Sequence, residues 1–201
     1  MKIQEKTEPR VEREAPKPPV EVRSKAKISE DDKMRLICNP GDPSSLYKNF
    51  KKVGGGASGD VFLASTLDDK PVAVKVMNID KQVKKDLIIN EILVMRDANH
   101  KNIVNFIDSY VHNGELWVVM EYMEGGSLTE VVTATIMNEG QIASVCKEVL
   151  EGLAHLHSKG IIHRDIKSDN ILLSMAGDIK LSIFSINFQL ILVSVLSLMR
   201  V

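Results

Sequence analysis

The chain has 201 residues, enough for one ordinary domain with flanking segments, and 44% of them are hydrophobic, so a packed core is within reach. Lys and Arg number 26 and Asp and Glu 27, a formal charge of −1 that gives no basis for nucleic-acid binding or for attraction to an anionic membrane. The two cysteines, Cys38 and Cys146, are far apart and in no metal-ligand spacing, which argues against a disulfide framework and fits a reduced, cytoplasmic chain; the start MKIQEKTEPR has no apolar run of signal-peptide type.

Residues 1–35 carry 10 Lys and Arg, 8 Asp and Glu, and four of the seven prolines. Too little apolar surface is available there to offset the entropy of ordering, so a disordered segment is expected over 1–41. Inside it lies Arg13-x-x-Pro16-x-x-Pro19. Prolines at that spacing share one face of a polyproline II helix, the face an SH3 groove reads beside an arginine; a charged, Pro-containing linker is the plainer reading.

From Tyr47 short apolar runs are broken by turns. Runs at 51–53 and 60–64 flank a glycine-rich turn and predict a hairpin; 71–77 predicts a third strand, opened by Pro71. Apolar residues at 87, 88, 92, 94 and 95 predict an amphipathic helix over 84–98. Strands are predicted at 104–110 and 116–120, joined at 112–114, with Gly125-Gly126 closing the block. Ile142, Val145, Val149, Leu153 and Leu156 recur at intervals of 3 and 4 and predict a long helix ending near Gly160. A polar loop over 163–170 and two short strands, 171–173 and 179–181, follow. Strands first and helices later predict an α+β fold with two lobes of different character.

Four motifs carry chemistry. Gly54-x-Gly56-x-x-Gly59-x-Val61 lies between two strands, where glycines let backbone N–H groups approach phosphates; a flexible hairpin turn would need the same residues. In Val72-Ala73-Val74-Lys75, alternation puts Ala73 and Lys75 on one face, leaving room for a flat ring beside a charge for phosphates. Glu91 shares a helix face with Leu87, Ile88, Val94 and Met95, and a carboxylate there is costly unless paired; Lys75 is the natural partner. Last comes His163-Arg164-Asp165-Ile166-Lys167-Ser168-Asp169-Asn170, between a long helix and a strand. Asp165 would accept the proton of an attacking hydroxyl, Lys167 would neutralise a γ-phosphate and Asn170 would hold a magnesium ion. His155 and His157, two apart on a helix, point to different faces and are poor joint metal ligands.

With these motifs in this order the chain resembles protein kinases, and among them the PAK-type, sterile-20-like serine/threonine kinases. The likeness rests further on Gly56-Ala57-Ser58-Gly59, the run Asn90 to Met95, the run Glu115 to Tyr122, Gly125-Gly126-Ser127-Leu128, and Ile166-Lys167-Ser168-Asp169-Asn170. It implies a partial kinase domain over 42–181: an N-lobe of antiparallel sheet plus one helix at about 47–120, a hinge at 121–126, and the start of a helical C-lobe at 127–181. It implies ATP, Mg2+ and transfer of phosphoryl groups to serine or threonine of protein substrates. It makes Met120 the gatekeeper, has the backbone of Glu121 and Met123 bond adenine, and has Val53, Val61, Ala73 and Leu172 sandwich the ring.

After Lys180-Leu181 that family continues Asp-Phe-Gly, whereas this chain reads Ser182-Ile183-Phe184-Ser185. Ile183 stands where the metal-binding aspartate belongs, and no activation loop or Ala-Pro-Glu element is recognisable. Catalysis is therefore expected to be impaired, and a non-catalytic nucleotide-binding protein is the alternative. Residues 181–199 hold no charge, and 13 of the 19 are apolar, close to a membrane span; four serines, Asn187 and Gln189 count against one, and sequence unrelated to the family joined after Leu181 is the simpler reading of 182–201. A tail-anchored interaction protein would follow from the span.

Overall fold

A computed structural model describes residues 29–56, 59–80 and 85–183. Arg13, Pro16 and Pro19, and all but the first three residues of the 181–199 stretch, lie outside them.

The first element is a helix where none is expected. Helix α1 (Glu30–Ile37) is opened by the Ser29 side chain, which accepts from the Asp32 N–H, and its first turn carries Glu30, Asp31 and Asp32. Acidic residues there complement the positive end of the helix dipole. Eight residues do not hold a helix alone; packing does. Met34 is 1% exposed and belongs to the same core as Ile89 and Ile92. Polar ties flank that contact: Lys85 Nζ lies 2.7 Å from Asp31 Oδ1, Arg96 Nη2 donates to the Ile37 carbonyl at 3.1 Å, and the Asn39 N–H donates to the Ser109 carbonyl at 2.7 Å. The expectation of disorder over 1–41 therefore fails across 30–41. The charge count of the window concealed one helical stripe, Met34, Ile37 and Cys38, at intervals of 3 and 1.

Strands β1 (Tyr47–Gly56), β2 (Gly59–Thr66), β3 (Pro71–Asn78), β4 (Phe106–His112) and β5 (Glu115–Glu121) form one antiparallel sheet in the order β1-β2-β3-β5-β4. Its register sets one row Gly54–Val61–Lys75–Val118 and another Leu63–Ala73–Met120. Side chains opposite one another share a face. Helix α2 (Lys85–Asp97) packs on this sheet, burying Ile89, Glu91, Ile92 and Met95. Ile89, not the predicted Leu87, completes the stripe.

The second lobe begins with β6 (Gly126–Ser127) and α3 (Leu128–Ala134), neither foreseen as an element. A reciprocal cap starts α3: Ser127 accepts from the Glu130 N–H while Glu130 accepts from the Ser127 N–H. Helix α4 (Glu139–Ser158) opens on the same device with Asn138 and Gln141 and buries Val145, Val149, Gly152 and Leu156. Ile142, predicted on that stripe, is 48% exposed. Strands β7 (Ile171–Leu173) and β8 (Ile179–Leu181) complete a three-stranded sheet, β6-β7-β8. This is the α+β, two-lobed arrangement expected: a sheet-and-helix lobe followed by the first part of a helical one.

Two contacts join the lobes through the segment before β4. The Leu181 N–H donates to the Asn102 carbonyl at 2.8 Å, and the Val104 N–H donates to the Leu181 carbonyl at 3.0 Å. Asn102, 3% exposed, donates from Nδ2 to Glu148 on α4 at 2.6 Å and to the Ile179 carbonyl at 3.0 Å. Gly152 permits this approach, because a Cβ there would stand 2.9 Å from the Asn102 carbonyl oxygen. One continuous core runs from Met34 and Ile92 through Ile103 to Leu156 and Leu181.

If α1 is part of that core, Met34→Ala should lower stability by about 2–4 kcal/mol, read as a lower urea midpoint. Leu36→Ala, on the exposed side of the same helix, should change it by less than about 0.5 kcal/mol.

Candidate active site

A cavity of about 420 Å³ lies between the lobes. Its roof is the sheet face set by the register: Val53 and Gly54 of β1, Val61 of β2, Ala73 and Lys75 of β3. Met120, Glu121 and Met123 line its back and Leu172 its floor. The four residues expected to sandwich a flat ring, Val53, Val61, Ala73 and Leu172, thus face one space. Gly56 and Gly59 sit opposite each other at the tip of the β1–β2 hairpin and do not line the cavity. Gly59 is nonetheless required there: its φ is +126°, and a Cβ would fall on the Val76 carbonyl oxygen. The Glu121 N–H already donates to the Asn105 carbonyl at 3.0 Å, so the group it can offer a ligand is its carbonyl.

Lys75 is 8% exposed and Glu91 9%. Burial disfavours the charged amine and pulls the Lys75 pKa down to about 8, while the negative charge of Glu91 works in the opposite direction. The two residues on separate elements are electrostatically coupled, as their types and faces predict. An amine poised in this way remains mostly charged at neutral pH and gains from any anion that enters the cavity.

The catalytic-loop candidates gather at the front of the floor. Arg164 takes φ 65°, an uncommon conformation for a residue with a side chain, and the chain turns there into Asp165. Lys167 Nζ lies 3.0 Å from Asp165 Oδ2. Asn170 donates from Nδ2 to Asp165 Oδ2 at 2.9 Å and to the Asp165 carbonyl at 2.8 Å. Lys167 first, and then Asn170, hold the Asp165 carboxyl below its ordinary value, so it stays an ionised acceptor. Asn170 lines the cavity; Asp165 and Lys167 stand beside it. Sequence reasoning missed His163, which is 1% exposed and buttresses the loop. Its Nδ1 accepts from the Asp165 N–H at 3.3 Å and its Nε2 faces the Ser182 carbonyl at 2.9 Å, a pattern that fits the neutral ring with Nε2 donating; burial lowers its pKa in the same sense. Asp169, Ser127 and Glu130 also line the cavity; Ser127 and Asp169 lie in the runs that carry the family likeness, with no binding role read for them, and Glu130 was not singled out.

The Ser182 N–H donates to the Asn170 carbonyl at 2.8 Å, which brings the next residue to the place where a second metal ligand would be expected. That residue is Ile183, 2% exposed and part of the hydrophobic core. Asp178 does not replace it: its carboxylate is engaged by the Ser174 hydroxyl at 2.8 Å, before β8 begins. Among the described residues no group of three or more His, Cys, Asp or Glu is arranged to hold a metal ion. Of the two magnesium ligands the family likeness implies, the Asn170 carboxamide lines the cavity, and position 183 supplies hydrocarbon in place of a carboxylate. The imidazoles of His100 and His155 stack at 4.6 Å, a packing contact away from the cavity.

The family model described as the protein kinase domain matches residues 47–191. Over 159 residues the chain is 67% identical to the serine/threonine-protein kinase pakA of Talaromyces marneffei, covering 79% of this chain and 25% of that protein. It is 64% identical over 159 residues to the serine/threonine-protein kinase STE20 of Yarrowia lipolytica, covering 79% and 14%, and 62% identical over 171 residues to the serine/threonine-protein kinase ste20 of Aspergillus oryzae, covering 84% and 20%. The chain thus spans a quarter or less of the length of these relatives.

The Lys75 environment can be measured directly. After reductive methylation with a carbon-13 label, one lysine resonance should titrate with a midpoint near 8. Glu91→Gln should move that midpoint lower, because the charge opposing desolvation is gone. A midpoint at the ordinary lysine value would contradict the burial.

Proposed function

The chain belongs to the protein kinase domain family, by family a serine/threonine protein kinase, and we propose that this form of it binds ATP in the interlobe cavity but transfers the phosphoryl group only very slowly. The observation that carries the reading is the contrast within one site: the roof, the buried Lys75 and the loop Asp165–Lys167–Asn170 are assembled, while Ile183 is hydrocarbon in the core where the family places a carboxylate. The family uses ATP with Mg2+, whose charge stabilises the transferring group.

In this reading each residue has a stated task. Val61, Ala73 and Leu172 enclose the base, and the Glu121 carbonyl and Met123 backbone bond its edge. Lys75, held in place by Glu91, meets phosphate oxygens. Asp165 would take the proton of a protein hydroxyl and Lys167 would balance charge on the γ-phosphate. The step lacks the metal clamp, a contribution of several kcal/mol; a loss of about 4 kcal/mol is roughly a thousandfold in rate. Nucleotide-dependent holding of partners would survive that loss, and it is the alternative function that Ile183 favours. A cytoplasmic setting is a proposal from the cysteine usage of the sequence alone. The domain limits proposed are 42–181, with the hinge at 121–126. An SH3 domain reading Arg13, Pro16 and Pro19 is a proposal from sequence alone. No helix among the described residues is long and apolar enough to cross a membrane.

Binding of a fluorescent ATP analogue should weaken on Lys75→Ala; equal affinity in the two proteins would overturn the assigned pocket. The Lys75-dependent part should also fall with pH. Phosphate favours the charged amine, so affinity holds below about 8 and drops as pH rises through that value, by roughly tenfold from pH 7 to 9 for one linked proton. Radiolabel transfer to a generic basic protein should be indistinguishable from that of Asp165→Asn; transfer well above that blank, and lost on the substitution, would refute the catalytic part.

A further inference from the structure

We propose that Glu121 and Lys180 form a latch between hinge and floor that fixes the height of the cleft, so that Lys180 is a positioning residue for the bound nucleotide; this rests on the nucleotide reading above. Lys180 Nζ lies 2.8 Å from Oε1 and 2.7 Å from Oε2 of Glu121, a two-oxygen contact between residues 59 apart in sequence. The side chains are only 13% and 25% exposed, so salt and water screen the pair weakly.

The position of each partner gives the contact its leverage. Lys180 is opposite Leu172 in the β7–β8 ladder, so the two share a face, and Leu172 is the cavity floor. Glu121 ends β5 opposite Val72 of β3, the strand that carries Ala73 and Lys75 in the roof. Oε1 of Glu121 also accepts from the Asn105 N–H at 2.6 Å, so one carboxylate gathers the hinge, the segment before β4 and the floor strand.

The fold has another connection between the same parts. Leu181 bonds Asn102 and Val104 through its backbone and would still join the lobes without the ion pair. Those bonds, and the Asn102 side-chain bonds to Glu148 and the Ile179 carbonyl, all lie on the segment before β4. The ion pair adds an attachment at the hinge itself, through a side chain on the neighbouring residue. The pair therefore acts on the angle between floor and roof rather than on whether the lobes are joined. Lys180→Met would also leave the Glu121 carboxylate partly buried with its charge uncompensated, a force that drives it toward water.

Nucleotide binding by the full chain tests the latch, with a fluorescent ATP analogue as probe. Lys180→Met and Glu121→Gln should each raise Kd roughly tenfold with the number of sites unchanged. The double variant should be no weaker than either single one. Lys180→Arg, which keeps the cation and can donate to both carboxylate oxygens, should stay within about twofold. A Kd for Lys180→Met within about twofold of wild type would overturn the latch. So would fewer sites at unchanged Kd, the mark of a partly misfolded population. If wild type and Lys75→Ala alike fail to bind, the nucleotide reading falls, and hydrogen exchange of the nucleotide-free chain decides the latch separately. Lys180→Met should then speed exchange at residues 102–105 and 121–126 and leave 145–156 of α4 as in wild type; unchanged exchange at the first two segments would overturn it.

Discussion

A lysine amine kept from water is the constraint around which the first lobe is arranged. Lys75 reaches its place because the β2–β3–β5 register puts it in one row with Val61 and Val118. Burial there disfavours its charge, and only a nearby carboxylate can restrain the loss. That carboxylate, Glu91, sits on a helix that makes no ladder bonds with the sheet, so α2 has to be placed by packing. Ile89, Ile92 and Met95 provide that packing, and Met34 of α1 joins them in the same core. The electrostatics of one side chain thus depends on apolar contacts made by two helices.

The second lobe shows a different economy. Its catalytic loop is held by short-range polar contacts: Asn170 and Lys167 on Asp165, and His163 between Asp165 and Ser182. None of these needs a charged residue at position 183. The loop can therefore keep its shape while that position is occupied by an isoleucine that adds to the core. Scaffold and chemistry are separable here, and a well-formed Asp165 environment is no measure of turnover.

Much of this was legible in sequence wherever a local period applied. The alternation at Val72-Ala73-Val74-Lys75 placed the roof, and the strands at 171–173 and 179–181 lie where the apolar runs put them. The Gly54, Gly56, Gly59 spacing located the hairpin, although only Gly54 of the three borders the cavity. Three features were hidden for distinct reasons. Helix α1 carries its core contacts on Met34 and Cys38 within a strongly charged window, so composition outweighed pattern. Helix α3 has seven residues and no buried one, which leaves its capping box as the only trace. The contact between Glu121 and Lys180 joins residues whose spacing corresponds to no helix or strand period, so only the folded chain brings them together.

The docking of α1 also bears on where the folded unit begins. The match to the family model starts at Tyr47. The packed unit reaches back at least as far as α1, because Met34 and Cys38 belong to the same core as Ile92, Ile103 and Val118. An expression boundary drawn at the start of the family model would strip a lid from α2. It would leave an oily surface on the very helix whose seating governs Glu91.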